Sequence, residues 1–65
     1  MKRIEFTQPK PRIEDWRVKL DGRTIGLVWR AGSDYIVSVK TECRAATQEA
    51  AFKVARKQAR SIAAA

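Results

Sequence analysis

At 65 residues the chain is one domain with one thin core, since folding at that length buries only about 60% of the surface the unfolded chain exposes. It has 14 Lys and Arg against 7 Asp and Glu, no His and one Cys, which excludes an internal disulfide, a zinc site and imidazole acid–base chemistry. Hydrophobic residues make up 45% of the sequence, too many for a disordered tail, yet no apolar run approaches the roughly 18 residues that cross a bilayer.

The inventory predicts a protein that is not an enzyme and holds no cofactor or metal. Glu14 and Asp15 are adjacent, so on a strand they point to opposite faces and cannot work as a carboxylate pair. Cys43 has no imidazole to act as its base and reads as an inert surface thiol. The opening Met1-Lys2-Arg3-Ile4-Glu5 lacks the apolar stretch of a secretory signal, so cytoplasmic residence is expected. The basic surplus sits at the two ends of the sequence, in residues 1–20 and 43–65, and a small protein so charged is drawn to polyanions.

In chain order, residues 1–12 read as an extended basic N-terminal arm, because Pro9-Lys10-Pro11 fixes two φ angles and removes two backbone donors. Ile4 and Phe6 alternate with charged residues before it, as a short edge strand or a loosely packed segment. Residues 13–65 then read as a single β-β-β-α domain, an α+β fold in which a three-stranded antiparallel sheet is packed on one face by a C-terminal helix.

Trp16, Val18 and Leu20 alternate with Arg17 and Lys19 in the period of a half-buried strand, and Asp21-Gly22 is a strong two-residue hairpin signal. That turn predicts Leu20 opposite Arg23, Val18 opposite Ile25 and Trp16 opposite Leu27. Arg17, Lys19, Thr24, Val28 and Arg30 then fall on the other face. Ala31-Gly32-Ser33 predicts a second turn into a third strand over 35–40. A three-residue turn buries Tyr35, Val37 and Val39 and leaves Ile36, Ser38 and Lys40 open, whereas a two-residue Gly32-Ser33 turn inverts those faces.

A linker around 42–46 leads to Thr47, a good helix N-cap, with Glu49 placed well against the helix dipole. The helix is expected to end near Ala63. Ala51, Ala55, Ala59, Ile62 and Phe52 lie along its inner flank, and Lys53, Arg56, Lys57 and Arg60 form a stripe roughly opposite.

Three strands and a C-terminal helix, the Asp21-Gly22 hairpin, the aromatic strands and the run Thr47-Gln48-Glu49-Ala50-Ala51 resemble the sheet-plus-helix DNA-binding modules, namely the integrase arm-binding and plant AP2-type domains. Residues 16–63 also look like the β-β-β-α part of a double-stranded-RNA-binding domain, whose last helix is rich in alanine and lysine as Phe52 to Arg60 is. The first resemblance implies that the open sheet face enters the major groove, with Arg17, Lys19, Thr24, Arg30, Ser38 and Lys40 touching DNA. The second would need a helix where Pro9 and Pro11 stand and a basic helix start where Thr47-Gln48-Glu49 stands, which ranks DNA above duplex RNA.

The expected function is therefore a small basic nucleic-acid-binding protein, an accessory factor of a size often found in phage or mobile-element genomes, docking on duplex DNA through its open sheet face. Lys10, Arg12, Lys53, Arg56, Lys57 and Arg60 are the expected secondary phosphate contacts. The competing expectation is an inhibitor or adaptor that sits on an acidic partner protein, marked by an apolar patch around Ile36 and Val28 or Ile4 and Phe6. No membrane partner is expected, because an alanine flank offers little to insert into lipid. As for self-association, the chain reads as a monomer or a weak homodimer.

Overall fold

In the computed structural model, which describes residues 3–64, the chain forms five strands and one helix: β1 (Ile4–Thr7), β2 (Asp15–Leu20), β3 (Arg23–Ala31), β4 (Asp34–Ser38), β5 (Glu42–Ala45) and α1 (Gln48–Ala64). Met1 and Lys2, part of the expected arm, and Ala65 lie outside the described residues. The strands make one antiparallel sheet in the order β1-β2-β3-β4-β5, and α1 covers one face of it. The fold is α+β, but the expected three-stranded sheet is corrected to five.

Of the two added strands, β1 is the edge-strand alternative for Ile4 and Phe6, and β5 replaces the expected linker. The Pro-rich stretch reverses the chain: Ile13 N–H donates to the Lys10 carbonyl at 3.1 Å, with Pro11 in the second position of the turn, where its fixed φ fits. The Gln8 amide reinforces the return by donating to the carbonyls of Pro11 at 3.3 Å and Ile13 at 2.8 Å. β1 then pairs with β2, Ile4 opposite Leu20 and Phe6 opposite Val18. At the sheet's other edge, Cys43 and Ala45 face inward while Glu42 and Arg44 face out, so the expected linker is β5, paired with β4 through Val37 and Cys43.

The first hairpin forms at Asp21-Gly22, both with positive φ (52° and 83°), the pattern of a type I′ turn. Leu20 sits opposite Arg23 as predicted, but the register then shifts. Val18 pairs with Gly26 and Trp16 with Val28, leaving Ile25 as the extra residue of a β-bulge. A Cβ on Gly26 would lie 2.6 Å from the Ser38 carbonyl oxygen and 2.7 Å from the Val39 Cα, so this position must be glycine for the end of β4 to cross it. The bulge turns β3 over: Val28 and Arg30 face the helix, and Leu27 and Trp29 face away.

The second hairpin uses the two-residue loop Gly32-Ser33, with Arg30 opposite Tyr35 and Ala31 opposite Asp34. Gly32 has φ +65° and Ser33 does not, as in a type II′ turn. This turn inverts β4 relative to the expected three-residue turn, and the bulge has already inverted β3. The two shifts cancel, so Tyr35, Val37 and Val39 face the helix as expected.

Thr47 caps α1, its hydroxyl accepting from the Ala50 N–H at 3.1 Å. Ala51, Ala55 and Ala59 are fully buried against Val18, Val28 and Val37, one valine from each central strand. Small side chains on the helix bring its axis close to the sheet, and the aromatic residues close the end of the core. Phe52 stacks on Phe6 with centroids 4.5 Å apart and meets Trp16 edge-on at 5.2 Å. No helix among the described residues is long and apolar enough to cross a membrane.

Candidate nucleic-acid interface

The outer surface of α1 collects positive charge because its basic residues recur at helical spacing. Lys53, Arg56, Lys57 and Arg60 occupy positions i, i+3, i+4 and i+7, all exposed, along a stripe about 10 Å long at 1.5 Å per residue. The inward alanines dictate this arrangement, since a helix that buries Ala51, Ala55 and Ala59 must present the opposite side to water. Among the described residues none of the four is in an ion pair. Glu49, one turn ahead of Lys53, is the helix's single acid. Arg56 lies over the Phe6 ring, 5.3 Å from its centroid, which fixes the start of its side chain and leaves the guanidinium exposed.

Lys40 belongs to this side of the molecule. It was expected on the open sheet face as an extension of the third strand, but β4 ends at Ser38 and Lys40 lies in the turn to β5. Its ammonium donates to Ser61 Oγ at 2.8 Å, and its backbone N–H, with that of Thr41, donates to Gln58 Oε1 at 2.8 and 3.0 Å. One helix side chain thus satisfies two turn donors and fixes Lys40 beside Lys57. The two lysines rim a shallow cleft with Val54, Gln58, Ser61 and Cys43. Cys43 is half-buried there rather than on the surface, with Gln58 Nε2 3.2 Å from its sulfur.

Arg30 leaves the open face for a different reason. The bulge points it to the helix side, where its guanidinium meets Glu14 Oε2 at 2.6 Å and its Nε donates to the Gly32 carbonyl at 2.9 Å. The Tyr35 hydroxyl donates to the other Glu14 oxygen at 3.2 Å. The Arg30 guanidinium beside it, with the Tyr35 hydroxyl, holds the Glu14 carboxyl below its ordinary range; Glu14 in turn raises Arg30. Burial, then the Glu14 carboxylate, pushes the Tyr35 hydroxyl up. Arg30, Glu14 and Tyr35 clamp the β1–β2 loop onto the β3–β4 hairpin.

Of the six residues expected to read DNA, Arg17, Lys19, Thr24 and Ser38 share the open sheet face, and Arg30 and Lys40 do not. The open face also carries Glu5, Asp15, Asp34 and Glu42, so its charges are of both signs. Arg44, missed because β5 was read as a linker, adds a further cation there and pairs with Asp34 at 3.3 Å. The face is apolar at its centre: Leu27 is 42% exposed and Trp29 half-buried, with Ile36 beneath at 8%. Lys10 and Arg12 are exposed on the β1–β2 turn, beside a recess lined by Ile13, Asp15 and Arg17.

The arrangement can do two things chemically. The helix side offers unpaired cations of one sign to a polyanion, and the sheet side offers apolar surface bordered by both signs of charge. No family model matches this sequence, and no curated protein or solved structure is significantly similar to it.

Proposed function

We propose that this protein binds duplex nucleic acid, DNA in the first place, by docking the exposed side of α1 on the phosphate backbone. The observation that carries the reading is the segregation of charge: Lys53, Arg56, Lys57 and Arg60, with Lys40 beside them, face solvent without an acidic partner, whereas the cations of the sheet face are interspersed with carboxylates. A duplex carries one negative charge per roughly 1.7 Å of axis, so a stripe about 10 Å long meets several phosphates at once. Contacts of this kind position a protein without reading bases, so the binding is expected to be weakly selective for sequence.

Fluorescence anisotropy with a labelled duplex across a salt series tests this. With about four phosphates neutralised, the log–log slope of affinity against salt should be near −3.6. Lys57→Ala with Arg60→Ala should flatten the slope by about two contacts, to near −1.8, and weaken binding to unrelated duplexes alike. Arg17→Ala with Lys19→Ala should leave the slope within error of the parent. The reverse ranking would return the docking surface to the sheet, and no binding at low salt would remove the function.

A further inference from the structure

The open sheet face is a solvent-facing surface whose composition is wrong for a purely solvated layer: exposed Leu27 and half-buried Trp29 lie side by side on β3, with Ile36, itself buried, paired to Trp29 on β4. Its charges are ordered. Cross-strand pairing sets two parallel rows of side chains on this face. One runs Asp15, Trp29, Ile36, Arg44 from β2 to β5, and the next runs Arg17, Leu27, Ser38, Glu42 over the same four strands. On every strand where one row carries a charge, the other carries its opposite.

We infer that this face docks a second copy of the chain, face to face, about a two-fold axis that lies between the two rows and perpendicular to the strands. Such an axis lays each row of one copy on the other row of its partner. Asp15 then faces Arg17, Arg44 faces Glu42, Trp29 covers Leu27 and Ile36 covers Ser38, and each contact occurs twice, as an isologous interface requires. An axis along the strands, midway between β3 and β4, also brings opposite charges together, Asp15 on Arg44 and Arg17 on Glu42, and the exchange variants below distinguish the two, since Asp15→Arg with Arg17→Asp restores the pairing only about the first axis. Among the described residues Asp15, Arg17 and Glu42 have no side-chain hydrogen bond or ion pair within their own chain. Stacked sheets pack about 10 Å apart and turn by about 30°, which arginine side chains at the margin can follow.

Edge-to-edge pairing is the competing way to join two sheets, and here it is disfavoured. Both edges are strands of only four residues with charged side chains, Glu5 on β1 and Glu42 and Arg44 on β5. Face-to-face docking leaves both α1 helices on the outside, so it does not depend on nucleic-acid binding and does not compete with it. A patch four strands wide and little more than two rows deep falls at the small end of specific interfaces, so the dimer is expected to be concentration-dependent.

Sedimentation velocity on the nuclease-treated full chain, over a concentration series at low salt, tests the inference. The mass should rise from the 7.4 kDa monomer to twice that value. Arg17→Asp sets two carboxylates against each other and should weaken the dimer by about a hundredfold. Asp15→Arg combined with Arg17→Asp exchanges the charges within each chain and should restore it; Glu42→Arg with Arg44→Glu tests the other end independently. Circular dichroism of each variant separates loss of pairing from loss of folding. A wild type that stays monomeric overturns the inference, as does a dimer that survives both Arg17→Asp and Leu27→Asp. Failure of both folded exchange variants to recover the dimer, or a mass increase that vanishes with nuclease, overturns it too.

Discussion

Arg17 and Arg30 lie on adjacent strands, and one inserted residue at Ile25 puts them on opposite faces of the sheet. Arg17 stays open, while Arg30 is held by Glu14 and the Gly32 carbonyl. The cluster gives a pH signature. The Glu14 carboxyl titrates lower in the folded protein than in the unfolded chain, so between those two values the unfolded state binds more protons. Its contribution to stability is present above the ordinary carboxyl range near 4.5 and is lost as the pH falls through the folded value. Urea unfolding from about pH 7 down to about pH 3 should therefore show Glu14→Gln less stable than the parent at neutral pH, with the gap closing in acid. A constant gap would mean that Glu14 acts through packing and not through charge.

At the scale of elements, the β3 bulge decides more than any strand propensity. Gly26 leaves a gap in mid-strand, but the atoms that fill it come from Ser38, the last residue of β4, and from Val39 just beyond it, which no local pattern links to Gly26. Gly26→Ala should cost about 1–3 kcal/mol, the range for forcing a side chain into a packed site, read as a lower denaturation midpoint at unchanged m-value. A substitution without cost would mean that β4 gives way at Val39. The same non-local logic explains which elements were legible. α1 with its Thr47 cap and alanine flank, the Asp21-Gly22 turn and the inward face of β2 follow from local spacing. β1 is half legible, since the alternation of Ile4 and Phe6 allows an edge strand but its pairing rests on a loop closed by the Gln8 side chain, and β5 is not, being four residues long with only Cys43 and Ala45 facing in. The inward face of β4 came out as expected because two shifts cancelled. β3 has one shift, and for that reason Leu27, expected opposite Trp16, lies outside the core with Trp29.

The whole molecule is a layered object with different electrostatics on its two sides, helix positive and sheet mixed, and the layers are held apart by a core of valine and alanine. Surfaces so separated should respond independently to substitution. Lys57→Glu adds an acid to the helix stripe and should weaken duplex binding by more than tenfold, because it removes one phosphate contact and introduces a repulsive one, while leaving the sedimentation mass unchanged. Arg17→Asp should lower the mass and leave the salt slope per chain unchanged. Affinity is a separate quantity from slope. If a dimer places only one helix on a duplex, Arg17→Asp leaves affinity alone; if two duplexes or two distant segments bind its outward helices, the mutation abolishes their bridging, seen as loss of light scattering from long DNA. Measuring mass, slope and bridging on the same two variants therefore assigns each face its own role. A single variant that moved all three would show that the faces are coupled through the core, which the exposed positions of Lys57 and Arg17 give no reason to expect.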